Sequence, residues 1–279
     1  MRVSHLLYRA QRKITLETRR LTAPLRYTPT ALVIGAQKGG TSSLHDYLSH
    51  HPNALSSYKK EVHFFVPNYQ KGHSWYQGHF PLRGQQDKPV VFESSPSYIL
   101  YADVARRIAQ SYPQMKIIAL LRHPVHRAYS HYKMNLRLAH INETRSFEEA
   151  IQPELNGDFG VPAETGHSYQ AEFDHFSYLA RGRYWEQLQH WYDVLSPEQI
   201  LVLQSESLFE SPAMVYQEVL KFLGLSSFEL DDFPAQNTSG ASRNVREKIG
   251  DALYNQLLAY FQPYNDTLYQ QFAVNYGWD

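Results

Sequence analysis

The chain of 279 residues contains no cysteine, which removes disulfides, thiolate metal sites, iron–sulfur clusters and cysteine nucleophiles from consideration. It also lacks net charge, with 27 basic side chains against 27 acidic ones. That balance argues against a nucleic-acid binder, which carries a strongly basic domain. No apolar run approaches the roughly 18 residues of a membrane span, and the N-terminus lacks the apolar core and cleavage site of a secretory signal. These absences set the expectation of a cytoplasmic protein. No repeat or low-complexity tract is present. Charged residues are only 19% and hydrophobic ones 43%, enough for a large folded core. The charge is uneven, however. Residues 1–26 hold Arg2, Arg9, Arg12, Lys13, Arg19, Arg20 and Arg26 against Glu17 alone. Residues 1–28 are therefore read as a basic N-terminal arm, a solvated segment in the plainest reading, with peripheral contact to anionic lipid left open. Residues 29–279 are read as one domain.

Four short apolar, β-branched runs read as strands: Ala31–Gly35, Val90–Glu93, Lys116–Leu121 and Gln199–Leu203. None alternates cleanly, as expected of parallel strands buried on both faces. Helical patterns lie between and after them: Thr41–His50, Tyr101–Ser111, Pro124–Leu138, Phe176–Leu195, Pro212–Leu223 and Arg246–Phe261, the last broken by Pro263. Residues 153–172 read as a long loop. Strand and helix alternate, so the fold class is α/β with a central parallel sheet flanked by helices.

The sharpest motif is Gly35-Ala-Gln-Lys38-Gly39-Gly40-Thr41-Ser42, between a strand and a helix. Paired glycines let amides approach an anion, and the helix N-terminus adds unpaired N–H groups and a favourable dipole. It is not a Walker A loop, because Lys38 precedes the glycine pair instead of following the last glycine. A second anion site follows the third strand: Arg122 at its end, with Arg127 and Ser130 three apart on the next helix. Two sites at two strand ends point to a ligand with phosphates at two positions. His123, His126 and His131 are not spaced as a helical zinc pair, and no metal is expected.

These motifs resemble the sulfotransferases that use 3′-phosphoadenosine 5′-phosphosulfate (PAPS) and release the bisphosphate PAP. Lys38 through Leu44 is similar to their 5′-phosphosulfate loop, and Arg122 through Tyr132 to their 3′-phosphate strand and helix. Glu61-Val-His63-Phe-Phe65, Asn68 through Tyr76, Glu93-x-x-Pro96-x-Tyr98, Gly182 through Trp191 and Tyr260 through Trp278 match in order, closest to the heparan sulfate and glycan N- and 3-O-sulfotransferase branch. The resemblance implies a P-loop-like sandwich on about five parallel strands. It implies transfer of a sulfuryl group to a hydroxyl or amine, the acceptor being a carbohydrate or similar molecule. Lys38 would balance charge on the leaving phosphate, and Gly39, Gly40, Thr41 and Ser42 would hold that phosphate. Arg122 and Ser130 would hold the 3′-phosphate, and Arg243 would add a further contact. Glu61 would be the general base, with His63 as rival base or orienting partner, and burial beside Phe64 and Phe65 is expected to raise the Glu61 carboxyl towards neutrality. Two positions depart from the pattern. His123 stands where Asp or Asn is usual, and Ser94 stands where the heparan-type enzymes have Lys. The alternatives are a nucleotide-dependent phosphotransferase and a non-catalytic nucleotide-binding protein.

Overall fold

A computed structural model describes residues 17–84, 86, 88–157, 175–235 and 244–278. Five parallel strands, β1 (Ala31–Gly35), β2 (Ala54–Ser56), β3 (Val90–Ser94), β4 (Lys116–Leu121) and β5 (Ile200–Gln204), form one sheet in the order β2-β3-β1-β4-β5. The four expected strands are present. The fifth, β2, is only three residues long, too short for any periodic signal. The helices are α1 (Thr41–Ser49), α2 (His73–Gln77), α3 (Ala102–Ser111), α4 (Pro124–Asn135), α5 (Phe147–Leu155), α6 (Tyr184–Tyr192), α7 (Ser205–Glu210), α8 (Pro212–Leu223), α9 (Val245–Ile249) and α10 (Asp251–Phe272).

Side chains of successive strand residues point to opposite faces, and here both faces are covered. Leu32, Ile34, Ile117 and Ala119 pack with α3, α6 and the segment Val62–Phe80. Ala31, Val33, Ile118 and Leu120 pack with α1 and α8. This burial on both sides explains the unbroken apolar runs of β1 and β4. A third cluster lies beside the sheet, where α4 meets α5, α9 and α10 through Val125, Ile151, Leu257 and Phe261.

Three helical expectations change. Pro263 does not end its helix: α10 runs to Phe272, because Leu257, Phe261, Asn265 and Leu268 stay buried along one side and packing outweighs one lost backbone bond. The helix begins anew after Gly250, whose φ of 82° separates α9 from α10. The expected helix Phe176–Leu195 shrinks to α6, behind a 3₁₀ turn ending at Gly182. A Cβ on Gly182 would lie 2.7 Å from the Phe261 ring and 2.9 Å from Pro124, so the chain there is pressed against α10 and α4. Residues 153–155 of the expected loop belong to α5, which starts with a Ser146–Glu149 capping box. The rest of that loop, residues 1–16 of the basic arm and Arg243 lie outside the described residues. Among the described residues, no helix is long and apolar enough to cross a membrane.

Candidate active site

Strand β1 has β3 on one side and β4 on the other, so the chain leaves it in opposite directions. In open α/β sheets the crevice at such a point, beyond the carboxyl ends of the strands, is where ligands bind. The loop from Ala36 to Gly40 occupies that crevice. Ala36 N–H donates to Leu120 O at 2.7 Å, Gly39 N–H to Ala36 O at 2.9 Å, and the Ser205 hydroxyl to Gly39 O at 2.7 Å. A Cβ on Gly39 would stand 2.5 Å from Leu120 O, which no side chain tolerates. Gly40 has φ 93° and caps α1, whose first-turn amides lack intrahelical acceptors. Thr41 is buried and Ser42 half-buried in that turn.

Lys38, at φ 73°, is the cation of this loop. Burial, then the charges of Arg137, Arg122 and Arg127, lower its pKa to about 8, while Glu61 pulls it back up. Arg122 joins it from the end of β4: its Nη1 donates to Lys38 O at 3.2 Å, and its backbone exchanges bonds with the Tyr184 hydroxyl. Ser130, two turns into α4, is buried. Several cations that repel one another around a glycine cradle form a site that suits a polyanion.

Glu61 and His63 stand opposite. The Glu61 carboxylate is bracketed by His63 Nε2 at 3.0 Å from Oε2 and Lys60 Nζ at 3.3 Å from Oε1. Burial acts to raise its pKa, but the His63 hydrogen bond and the Lys60 charge outweigh it, and the carboxyl lies below its ordinary value. The expected rise towards neutrality is thereby corrected: the apolar rings are near, but the polar partners are nearer. Glu61 therefore meets a substrate already ionised.

A buried network holds this pair in place. Glu93, at the end of β3 and fully buried, accepts from the Tyr98 hydroxyl at 2.8 Å, the Ser95 hydroxyl at 2.8 Å and the Tyr76 hydroxyl at 3.1 Å. Ser95 Oγ in turn accepts His63 N–H at 3.1 Å, and the Tyr98 oxygen accepts Phe65 N–H at 3.4 Å. Sequence matching found Glu93 and Tyr98 but gave them no role. His45, on α1, reaches Ser94 with Nδ1 at 2.9 Å from Oγ. Burial and the Lys60 charge lower its pKa to about 4, so it is neutral at pH 7. His45 carried no motif signal, whereas Lys60 stands beside Glu61 in the matched segment. The structure thus gathers Lys38, Arg122, Glu61 and His63 around one cleft.

A sulfotransferase domain model matches residues 28–247, most of the chain. The chain belongs to the sulfotransferase family. It is 29% identical over 277 residues to heparan sulfate glucosamine 3-O-sulfotransferase 6 of Mus musculus, covering 91% of this chain and 75% of that one. It is 33% identical over 208 residues to the bifunctional heparan sulfate N-deacetylase/N-sulfotransferase 4 of Mus musculus, covering 72% of this chain but only 23% of that longer protein. Among solved structures, a sulfotransferase from Alicyclobacillus acidocaldarius superposes with a TM-score of 0.68 at 28% identity, over 88% of this chain and 96% of that one. The sulfotransferase therefore has the P-loop-like α/β fold of its relatives, and the family uses a nucleotide sulfate donor. Among the described residues, no group of three His, Asp or Glu side chains is arranged to hold a metal ion.

Proposed function

We propose that this sulfotransferase moves the sulfuryl group of PAPS to a hydroxyl or amine of a carbohydrate. The donor supplies a sulfuryl group on a phosphate leaving oxygen, and every other requirement falls to the protein. Gly39, Gly40, Thr41 and Ser42 hold the 5′-phosphate; Arg122 and Ser130 hold the 3′-phosphate. The cradle fits such a group: its glycine has no room for a Cβ, and the charges of Arg122, Arg127 and Arg137 act on Lys38 beside it. Lys38 stabilises negative charge as it grows on the leaving oxygen. Glu61 takes the acceptor's proton while the new bond to sulfur forms and the bond from sulfur to the phosphate oxygen breaks. His63 orients Glu61 through their 3.0 Å contact instead of acting as the base itself. The placement of Arg243 against the phosphates rests on the sequence alone. The observation that carries this reading is the nearness of Glu61 to Lys38, whose pKa the Glu61 charge raises against the effect of burial. The carbohydrate acceptor draws support from the relatives named for heparan sulfate. Phosphotransfer is not favoured in a family of sulfotransferases.

Calorimetry with PAP, ADP and ATP, with and without Mg²⁺, tests the donor. Binding that needs the 3′-phosphate and ignores Mg²⁺ is expected; a preference for ATP with Mg²⁺ would overturn the reading. Radiolabelled donor with desulfated glycan acceptors, and with phenolic ones as contrast, then tests the acceptor. Transfer to the phenols alone would remove the carbohydrate assignment.

A further inference from the structure

Half of the large apolar side chains that stand exposed among the described residues lie in one part of the surface. Leu21, Leu25, Tyr58 and Leu82 have 83%, 63%, 57% and 53% of their surface open. Hydrogen bonds join the segments that carry them. Arg19 donates through Nε to Gly78 O at 2.6 Å and through Nη2 to Phe80 O at 3.0 Å. Its guanidinium carbon lies 4.7 Å from the centre of the Tyr58 ring, and Tyr58 N–H donates to His79 O at 2.6 Å. Arg26 pairs with Leu82 in an antiparallel bridge, and Arg83 N–H donates to Leu25 O at 2.9 Å. Residues 17–27, residues 78–83 and Tyr58 thus meet in one area. Leaving four such side chains in water there forgoes the gain of covering them, and grouped exposure of this kind marks a contact surface.

The charge of the same area says what would cover it. Arg20 and Arg83 are exposed there. Glu17 is the one acid in residues 17–27 and 78–83, and Arg20 approaches it at 3.7 Å. The preceding residues 1–16 add Arg2, Arg9, Arg12 and Lys13, with Leu6, Leu7, Ile14 and Leu16 among them and no acid. A chain without net charge therefore concentrates its positive excess beside its exposed leucines. A second copy of this face would set cation against cation in a two-fold pairing, which is repulsive. We propose that the face docks on an anionic lipid surface, lying on the bilayer without crossing it. The leucines and Tyr58 would enter the headgroup boundary, and the arginines would meet lipid phosphates at the ends of long side chains. Apolar burial and basic charge together make an anchor that neither makes alone. The proposal does not depend on the identity of the donor. Tyr58 stands three residues before Glu61, so the docked face adjoins the acceptor side of the cleft.

The test is flotation of the full chain with vesicles of phosphatidylcholine alone and of phosphatidylcholine with phosphatidylglycerol, at low and high salt. Binding to the phosphatidylglycerol vesicles that weakens at high salt is expected, with none to phosphatidylcholine alone. Leu21→Ser/Leu25→Ser should lower the partition coefficient about tenfold, and Arg20→Glu should lower it at least about fivefold. Both variants should keep the wild-type Tm and PAP affinity, because the altered side chains are exposed and lie outside the nucleotide site. Absence of flotation would overturn the proposal. So would flotation that neither variant alters, which would place the contact in residues 1–16 alone. Loss with Arg20→Glu but not with the leucine pair would mean attraction to any polyanion and would overturn it too. Light scattering that shows a dimer, dissolved by the leucine pair, would assign the face to a second copy of the chain instead.

Discussion

On the side of the cleft that carries Lys38, the chain is held mainly by its own backbone: Ala36 N–H to Leu120 O, Gly39 N–H to Ala36 O, and a glycine whose missing Cβ lets the turn press on β4. On the side that carries Glu61, the chain is held by side chains: Glu93 gathers three hydroxyls, and two of these reach back to the amides of His63 and Phe65. The difference matches the tasks. Holding phosphate needs amides and fixed cations, which a strand end and a helix start provide in any sequence with the right glycines. Placing a base needs one carboxylate at one point, and a loop without regular structure reaches such precision only through buried polar anchors. Binding should therefore follow the Lys38 side, and turnover without binding should follow the Glu61 side.

The largest effects should come from the two reacting groups, and they should separate the two sides. Glu61→Gln is expected to lower kcat by about 10²–10⁴ with PAP affinity nearly unchanged. Lys38→Ala should lower kcat by about 10²–10³ and weaken PAP as well, since its charge also meets the ground state. Steady-state kinetics beside calorimetry checks both. An unchanged kcat in Glu61→Gln would remove Glu61 as the base and return His63 to that role. Next in size is Gly39→Ala, in which a Cβ is placed 2.5 Å from Leu120 O. Overpacking of this kind costs about 1–3 kcal/mol, so a lower Tm and weaker PAP binding are expected together. If PAP affinity survived, the loop would be less tightly coupled to β4 than its bonds imply. Smaller again is Ser95→Ala, which removes the hydroxyl between Glu93 and His63. A fall in kcat of about tenfold with PAP affinity unchanged is expected, given a net value of about 1 kcal/mol per hydrogen bond. A parallel loss of PAP affinity would show that the two sides are not independent.

Much of the Lys38 side was legible in the sequence, and little of the Glu61 side. The strands β1 and β4, the glycine turn, Arg122 and Ser130 are local patterns: apolar runs, a Gly pair, an arginine at a strand end. Their meaning survives without knowing what lies opposite. The Glu61 side depends on contacts across chain distance. Glu93 is 17 residues from Tyr76, and Ser95 is 32 from His63. Nothing in periodicity links them. A related reason explains the wrong direction assigned to the Glu61 carboxyl: Lys60, His63 and the phenylalanines were all visible in sequence as its neighbours, but not that the two polar partners would outweigh burial. Pro263 misled because a local rule was outweighed by the buried stripe of α10.

The last effect leaves activity aside and concerns acid stability, and it again divides along the cleft. Burial lowers the pKa of His45 and His126 to about 4, that of His123 to about 3, and that of His131 well below its ordinary value. All four lie on α1 or α4 or at the start of α4, the helices behind the two anion grips. A histidine whose folded pKa lies below its unfolded value near 6.5 takes up a proton only on unfolding, so its contribution to stability is complete above about pH 6.5 and is lost as the pH falls below it. Glu93, under the Glu61 side, and Glu154 act oppositely. Burial raises both, so the folded state takes up their protons first and gains stability as the pH falls towards the ordinary carboxylate range. The four histidines outnumber the two carboxyls. Unfolding free energy should therefore decline from pH 6.5 to 5. His131 isolates the effect, because both of its ring nitrogens are buried with no hydrogen-bond partner among the described residues. His131→Leu should flatten the slope by about 1.4 kcal/mol per pH unit, the value of one proton, as read from urea melts at several pH values. A slope unaltered by the substitution would mean that His131 is protonated in the folded state, and that a bound anion or water among Arg127, Arg181 and Lys38 holds its charge.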